Sequence, residues 1–437
     1  MPDQPKISVL IPVYNVKTYL RECLDSLEKQ TFPEMEVVCI DDGSTDGSGE
    51  ILDEYAARDA RFNVLHVPNG GYGAAINRGL EAAGGDYVGI VESDDTIAPD
   101  IYEKLYRAAA DKGFPDVVKA DACFCWDTYG YRYRFHRGDR EADYGRVLHS
   151  DEKGKRFDFL MNIWTGIYLR AFLEQYKIRC HESPGASYQD NGFWMQTMTF
   201  AESTLFLNEA GYFYRQDNAG ASVKSAGKPL AMDNEYEWTE RELAEKGAGL
   251  ADIARCRYFR LMRNYGSFLR TSAEYKDELV PKMAEEFERY KACVPADTGV
   301  YNNYSYFMKD PAGRAAEQKS FRDKTFSAWD GAEQIVIYGA GHSAEPMLRM
   351  LLNYGYGDKI AGFVVTEPAG QRGHIGAFPV FALKELPEKA DLKKTAVILS
   401  VSTRSKYYPE MSASLQALGI TEWTVLDDMF RYFYLIA

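Results

Sequence analysis

Short apolar runs and amphipathic segments alternate along the first hundred residues. Ile7 to Val13 and Val37 to Ile40 are nearly unbroken apolar runs, as expected for strands that are covered on both faces. The segment between them is apolar at helical spacing, at Tyr19, Leu20, Cys23, Leu24 and Leu27. The alternation continues with a helix around Ile51, a strand near Val64, a helix from Gly73 to Ala83 and a strand from Tyr87 to Val91. This order predicts an α/β fold with a mostly parallel sheet.

The rest of the chain changes character twice. Residues 116 to 222 give mixed signals rich in aromatic and turn residues, and residues 232 to 326 have helical spacing. A second alternating unit begins at Gln334, with strands predicted at 335–338, 361–365 and 396–400. We therefore predict three parts: an α/β domain over 1–228, a helical region over 229–330 and a smaller α/β domain over 331–437.

Composition narrows the function classes. The formal net charge of −14 argues against a nucleic-acid binder, which needs a basic surface. There is no apolar run of roughly 20 residues, and the first residues lack the apolar core of a signal peptide. We expect a cytoplasmic protein that reaches a membrane only peripherally or through a partner. The seven scattered cysteines are expected to be free thiols.

Acidic clusters follow two of the predicted strands. Asp41-Asp42 comes directly after the second strand, and Glu92-Ser93-Asp94-Asp95 after the fourth. Each has an ordinary alternative: the first turn could cap the next helix through Ser44, Thr45 or Asp46, and the second could be a solvated turn. Since ligands of such sheets bind at the carboxyl ends of the strands, two clusters there favour a site for a divalent cation and phosphate oxygens.

The ordered motifs resemble a known family. They are Pro12-Val13-Tyr14-Asn15, Asp41-Asp42-Gly43-Ser44-Thr45-Asp46, Asn69-Gly70-Gly71 with Asn77-Arg78-Gly79, and Glu92-Ser93-Asp94-Asp95. In order, spacing and position they resemble family 2 of the glycosyltransferases, over about residues 6 to 225. The resemblance implies a GT-A fold and an inverting transferase that uses a nucleotide-diphosphate sugar, usually a UDP-sugar, with Mg²⁺ or Mn²⁺.

The resemblance also assigns roles. Tyr14 would face the nucleobase, Pro12 and Asn15 would shape its pocket, and Asp42, supported by Asp41, would accept a hydrogen bond from uracil. Asp94 would bind the metal on the diphosphate. Glu92 stands where the family usually has the first Asp of its D-x-D motif, and would contact ribose or sugar. The nucleotide-sugar-binding set is completed by Asn77, Ser93 and Arg215.

Asp190 is the candidate base. The segment from Trp164 to Arg170 resembles the one that precedes the family's acceptor-side Glu-Asp, for which this chain has Gln189-Asp190. Direct displacement at an anomeric carbon needs such a base for the acceptor hydroxyl. Asp190 could instead be a helix N-cap. Further on, Arg215 and Ser222 lie in a segment that resembles the family's closing one. Arg215 could reach the phosphates or form a surface salt bridge.

The C-terminal part carries a weaker signal. Gly339-x-Gly341-x-x-Ala344 after a strand is a dinucleotide-type pattern, but Glu367 comes later than the usual ribose-binding acid. The segment from Ile335 to Leu386 resembles Rossmann-like domains attached to capsule and cell-surface polysaccharide enzymes, and we expect no bound NAD. The aromatic end, residues 430–436, is expected to pack on the protein or in a homo-oligomer. The arginines of the helical region are expected on a solvated face.

The sequence thus predicts a glycosyltransferase that moves a sugar from a UDP-sugar to a cell-surface glycan, a lipid-linked oligosaccharide or a teichoic-acid-like polymer. Two alternatives remain open. The chain could be a non-catalytic nucleotide- or glycan-binding scaffold, which the departures at Glu92 and Gln189 would suit. It could also be bifunctional, with an oxidoreductase-like C-terminal domain.

Overall fold

The computed structural model describes residues 5–186, 188–218, 220–221, 230–270, 276–293, 308–341, 343–367 and 373–427. Residues 222 and 430–436, for which we made predictions, lie outside these ranges. The chain divides into two compact units, one of residues 1–125 and 133–260 and the other of 126–132 and 261–437. The predicted boundaries after residues 228 and 330 stay predictions.

A large sheet, formed mostly by the first unit, has the order β3-β2-β1-β4-β9-β6-β10-β5 and contains both parallel and antiparallel pairs, so it is more mixed than the mostly parallel sheet that was predicted. In chain order its strands are β1 (Ile7–Val13), β2 (Met35–Asp41), β3 (Phe62–His66), β4 (Tyr87–Ile90), β5 (Thr96–Ile97), β6 (Val117–Trp126), β7 (Tyr131–Phe135), β8 (Val147–His149), β9 (Gly166–Leu169) and β10 (Ser203–Arg215). Strand β1 pairs in parallel with β2 and β4, and β2 with β3. The α/β fold is confirmed.

Helices cover this sheet. They are α1 (Lys17–Glu28), α2 (Ser48–Arg58), α3 (Tyr72–Ala82), α4 (Ile101–Asp111), α5 (Lys153–Arg156), α6 (Arg170–Gln175), α7 (Gln189–Phe200), α8 (Ala231–Glu245) and α9 (Leu250–Arg270). On α1 the buried residues are Leu20, Cys23, Leu24 and Leu27, the apolar positions that predicted it. The N-cap of α2 is Gly47, not Ser44, Thr45 or Asp46, but Asp46 just before it accepts a hydrogen bond from the backbone N–H of Ser48.

Helix α7 crosses the interior of the first unit. Phe193 and Trp194 are buried, and so are polar members such as Thr197, because the helix is covered on every side. It begins at Gln189, after Tyr188 in the left-handed region at φ 71°. Asp190 therefore lies in the first turn and is not the N-cap.

Helices α8 and α9 are joined by ion pairs. Arg260 donates to both carboxylate oxygens of Asp233 at 2.8 and 3.0 Å, and these side chains are 3% and 1% exposed. Nearer the surface, Arg257 donates to Glu240. The prediction of a solvated arginine face is wrong for Arg260, because Asp233 of α8 supplies a buried partner that helical spacing within α9 does not reveal. Arg257 keeps 34% of its side chain exposed.

The second unit contains a smaller sheet in the order β13-β14-β12-β11-β15-β16. Its strands are β11 (Gln334–Tyr338), β12 (Ile360–Val365), β13 (His374–Ile375), β14 (Phe378–Ala382), β15 (Thr395–Leu399) and β16 (Thr424–Val425). Its further helices are α10 (Lys276–Tyr290), α11 (Pro311–Gly331), α12 (Ala344–Asn353), α13 (Leu386–Lys389) and α14 (Tyr408–Ala417). The central strands pair in parallel, as predicted for a Rossmann-like sheet.

Two further expectations concern thiols and membranes. All seven cysteines are free, as expected. None of the helices in the described ranges has the length and apolar composition that crossing a bilayer requires.

The buried pair between α8 and α9 predicts an asymmetric response to mutation. Asp233→Ala leaves the Arg260 guanidinium buried with its main partner removed, and we expect a loss of about 3 kcal/mol in the free energy of unfolding. The double variant Asp233→Leu with Arg260→Met should recover most of this loss, since apolar residues of similar volume avoid the buried charge. Urea unfolding followed by tryptophan fluorescence measures both.

The matched control is Arg257→Met, which breaks a more exposed pair on the same two helices and should cost less than about 1 kcal/mol. An Asp233→Ala variant as stable as this control would contradict the account.

Candidate active site

The carboxylate of Asp42 is held by the loop that follows β3. Its Oδ1 accepts from the N–H of Gly70 at 2.8 Å and its Oδ2 from the N–H of Gly71 at 2.9 Å, and the side chain is buried. Gly71 has φ 88°, and a Cβ there would come within 3.0 Å of backbone atoms of Ser183 and Gly185. The Asn69-Gly70-Gly71 motif thus orients Asp42, whose oxygens keep further lone pairs for a ligand.

Asp41 points to other partners. Its Oδ1 accepts from the N–H of Ser44 at 2.9 Å, and its Oδ2 lies 2.8 Å from Nδ1 of His66. His66 also contacts Asp53, through Nε2 at 3.1 Å. Burial alone would raise the pKa of Asp41, but the hydrogen bonds from Ser44 and His66 hold it below its usual value. The sequence analysis did not identify His66. The feature that could have pointed to it is its position opposite Asp41 at the end of the neighbouring strand β3.

The turn after β1 lies beside this pair. The N–H of Asn15 donates to Ser44 Oγ at 3.1 Å, and its Oδ1 accepts from the N–H of Thr45 at 2.8 Å. Asn15 is left-handed at φ 49°, and the preceding Tyr14 is 55% exposed. Pro12 is buried within β1. An exposed ring next to the Asp41-Asp42 turn suits the stacking of a flat heterocycle.

The acidic residues of the run after β4 have different contacts. Asp95, which we had left without a role, is fully buried: its Oδ2 accepts from the hydroxyl of Tyr212 and its Oδ1 from the N–H of Arg215, both at 2.7 Å. Burial, together with the charge of Asp94, raises the pKa of Asp95 well above its usual value. Asp95 therefore binds the acidic run to β10.

Asp94 is partly buried and held at one oxygen. Its Oδ2 accepts from Nδ2 of Asn218 at 2.7 Å, and its carbonyl accepts from Nε of Arg215 at 2.9 Å. Within the described residues its Oδ1 makes no hydrogen bond, so this oxygen is left for another ligand. Ser93, beside it, is also partly buried. Asn218 was missed, because the sequence does not show that the chain returns to Asp94 after β10.

The side chain of Glu92 is one methylene longer than an aspartate and reaches the hydroxyl of Tyr72. Its Oε1 accepts from the hydroxyl of Tyr72 at 2.6 Å, and its N–H donates to the hydroxyl of Tyr212 at 3.1 Å. Burial raises the pKa of Glu92 to about 8, and the charges of Asp94 and Asp190 act in the same direction. Burial thus favours the protonated form of Glu92.

Asp190 lies within electrostatic reach of this cluster. Its charge contributes to the raised pKa of Glu92 and, after burial, to that of Glu235 on α8, which reaches about 9. The N–H₂ of Asn191 donates to Asp190 Oδ1 at 3.2 Å. The structure thus brings Glu92, Asp94 and Asp190 together, although nearly a hundred positions of sequence separate them.

Gln189 explains one departure from the family pattern. Its Nε2 donates to the carbonyls of Ser183 and Gly185, at 3.3 and 3.1 Å, and to Ser183 Oγ at 2.8 Å. A glutamate could not donate to these carbonyl oxygens, and its charge would face them. The amide therefore suits the loop before α7, while Asp190 keeps its place.

The remaining two predicted site residues connect neighbouring segments. Asn77 donates to the carbonyl of Cys180 and to Glu182, and its Oδ1 accepts from the N–H of Cys180. The guanidinium of Arg215 pairs with Glu22 and lies 4.8 Å from the centre of the Tyr19 ring. Their contacts with a nucleotide sugar stay predictions.

Comparison with known proteins agrees with this geometry. The family description "Glycosyl transferase family 2" matches residues 8–169. The glycosyltransferase EpsJ of Bacillus subtilis is 32% identical over 239 residues, 53% of this chain and 67% of EpsJ. The glycosyltransferase GlyG of Streptococcus pneumoniae is 30% identical over 285 residues, 62% of this chain and 93% of GlyG. The chain spans 61% of another relative, EpsH of B. subtilis.

A solved structure shows the same fold. Residues 1–349 of S. aureus TarS, in complex with UDP-GlcNAc, superpose with a TM-score of 0.56 at 22% identity, covering 70% of this chain and 92% of that one. The matched family region contains the strand-end motifs Pro12 to Asn15, Asp41-Asp42 and Glu92 to Asp95. With these motifs at one edge of its sheet, and with GlyG matched along almost its whole length, the chain belongs to glycosyl transferase family 2.

Proposed function

We propose that this glycosyltransferase transfers a sugar, with inversion, from a UDP-sugar to a hydroxyl of a cell-surface glycan, lipid-linked oligosaccharide or teichoic-acid-like polymer. The observation that supports this most is the convergence of Asp94 and Asp190 beside Glu92. One acid would bind the metal on the leaving diphosphate, and another, from a different element, would serve the acceptor. The UDP-GlcNAc complex of TarS supports the choice of a UDP-sugar.

The donor would bind along the strand ends. Tyr14 offers a ring face to the base, and Asp42, oriented by Gly70 and Gly71, offers acceptor lone pairs to the uracil N–H. Asp41 stays ionised beside it through Ser44 and His66. Because hydrogen bonds hold Asp41 and Asp42 before a ligand arrives, little conformational entropy of these two side chains would be lost on binding.

A divalent cation fits at Asp94. Among the described residues no three carboxylate, imidazole or thiol groups are arranged to hold a metal by themselves. Mg²⁺ and Mn²⁺ in nucleotide sites take only one or two protein carboxylates and complete their shells with phosphate oxygens and water. Asp94 Oδ1 suits that role, with Asn218 orienting the carboxylate. A bound cation would stabilise the charge that develops on the departing diphosphate.

Asp190 would act on the face of the transferred sugar opposite the departing diphosphate. Its carboxylate would take the proton of the acceptor hydroxyl as that oxygen attacks the anomeric carbon and the bond to UDP breaks. Glu92, held by the Tyr72 hydroxyl, would contribute a hydrogen bond to the ribose or the transferred sugar.

Replacing the proposed metal ligand tests the donor half. Asp94→Ala should weaken Mn²⁺-dependent UDP binding by about 100-fold or more, because the diphosphate loses its bridging cation. Isothermal titration with UDP, with and without Mn²⁺, measures this. The exposed acid Glu54, which pairs with Arg21, provides the control variant Glu54→Gln. Equal Mn²⁺-dependent affinity in the Asp94→Ala and control variants would contradict the role.

Replacing the proposed base separates binding from chemistry. Asp190→Asn should bind UDP within about twofold of wild type while the rate of transfer falls by about 10² to 10⁴. UDP release from a panel of UDP-sugars, measured with and without candidate acceptors, identifies the donor and supplies the rate. Normal turnover in Asp190→Asn would reject this base.

The contribution of Glu92 to activity should depend on the length of its side chain. Glu92→Asp withdraws the acceptor from the Tyr72 hydroxyl and should lower kcat/KM, whereas Glu92→Gln resembles the protonated acid and should be milder at pH 7. In a double-mutant cycle, Tyr72→Phe should make the Glu92→Asp change less harmful by about 1 kcal/mol. Additive effects would show that the hydrogen bond has no part in activity.

A further inference from the structure

A cavity of about 630 Å³ lies in the first unit between residues 177–182 and the later turns of α8. Its lining includes Arg179, His181, Glu182, Trp238, Glu242 and Lys246. Asn77 is the member of the predicted donor site that also lines it, and its amide already bonds to Cys180 and Glu182. Apart from Asn77, none of the residues that line the cavity belongs to the groups proposed for the nucleotide or the metal.

The lining combines an aromatic ring with balanced charges. The three cations are Lys177, Arg179 and Lys246, and the three acids are Glu182, Glu242 and Glu245. Burial, with help from Arg241, lowers the pKa of His181, which is therefore neutral at pH 7. Without excess positive charge, the cavity does not favour a phosphate or an acidic polymer. Donors and acceptors around an indole suit a neutral sugar, whose C–H face stacks on the ring and whose hydroxyls bond at its edge.

The Trp238 ring is connected to the helix that carries the proposed base. It stacks on the imidazole of His181, with centres 4.7 Å apart and planes 8° from parallel. The imidazole Nδ1 lies 3.0 Å from Oε2 of Glu235. The Glu235 carboxylate is 2% exposed and packs on Gly192, where a Cβ would lie 2.5 Å from its Oε1. Gly192 is two residues from Asp190, so the cavity wall adjoins the first turn of α7.

We propose that this cavity, the Trp238 pocket, binds a neutral sugar unit of the acceptor glycan next to the unit whose hydroxyl reacts. The proposal rests on the proposed function and extends it to the acceptor. Its position beside the first turn of α7 places it on the side of the proposed base, and its volume lies in the range of ligand pockets and accommodates more than one sugar ring. The part of the Trp238 ring that lines the cavity, beyond its stack on His181, would provide the stacking surface, and the flanking acids and cations would select hydroxyls.

Fluorine NMR of the full chain labelled with fluorotryptophan tests this directly. The protein has six tryptophans, and the Trp238→Phe variant identifies the resonance of Trp238. The probes are chitotetraose, cellotetraose and mannotetraose, each without nucleotide. We expect at least one of them to shift the Trp238 resonance saturably. No shift with any of the three would overturn the proposal, and so would a shift caused by UDP-GlcNAc alone or one confined to another tryptophan.

Variants then measure the contribution of the ring. Trp238→Ala should weaken binding of the active tetrasaccharide by about tenfold, and Trp238→Phe by less, because it keeps an aromatic face. Glu242→Gln removes a charge from the lining of the cavity and leaves the stack of Trp238 on His181 in place. Tyr407→Ala removes an exposed aromatic from the second unit and should have no effect. Binding unchanged in both Trp238→Ala and Glu242→Gln would overturn the proposal.

The two proposals can fail separately. UDP binding with Mn²⁺ should stay within about twofold of wild type in Trp238→Ala, since Trp238 is not among the residues proposed for the donor site. Loss of saccharide binding with intact UDP binding supports the pocket. Failure of UDP-sugar turnover in wild type together with a saturable Trp238 shift would leave the pocket and reject the transferase mechanism.

Discussion

A fully buried carboxylate holds the candidate active site together. Asp95 accepts one hydrogen bond from the Tyr212 hydroxyl and one from the N–H of Arg215, so it joins the turn after β4 to the far end of β10. The contacts of Asp94 lie next to this connection: Arg215 donates to the carbonyl of Asp94, and Asn218 donates to its carboxylate. Asp41, Asp42 and Glu92 are oriented by other groups, so the connection through Asp95 matters most for Asp94. The carboxylate is expensive to bury, which its raised pKa reflects, and two short hydrogen bonds offset that cost.

The site concentrates negative charge, and this explains several of its properties. The pKa of Glu92 is raised to about 8 because its own burial and the charges of Asp94 and Asp190 disfavour ionisation. The nearby guanidinium of Arg215 pairs with Glu22, so it does not serve the cluster alone. A cation brought with the diphosphate would relieve this repulsion at the place where Asp94 has an oxygen available. In this view the acidic site is poorly neutralised until the donor binds, which couples the metal to the nucleotide.

Much of the fold could be predicted, because strands β1, β2 and β4 are buried on both faces and read as continuous apolar runs. The carboxyl ends of these strands also predicted where Asp41, Asp42 and Asp94 would lie. Contacts between distant segments could not be predicted in this way. His66, Tyr72 and Asn218 act through partners that only the paired strands and the returning chain bring near. The same holds for the arginines of α9, whose partners belong to α8, and for Asp190, since the start of α7 depends on the left-handed Tyr188.

The most direct measurement is anomalous diffraction at the manganese edge from crystals grown with UDP and Mn²⁺. The account predicts one strong peak within coordination distance, about 2.0 to 2.3 Å, of Asp94 Oδ1 and of both phosphates of UDP. It also predicts a hydrogen bond from the uracil N–H to the carboxylate of Asp42. A UDP molecule bound without a metal at Asp94, or a manganese peak coordinated elsewhere in the chain, would contradict it.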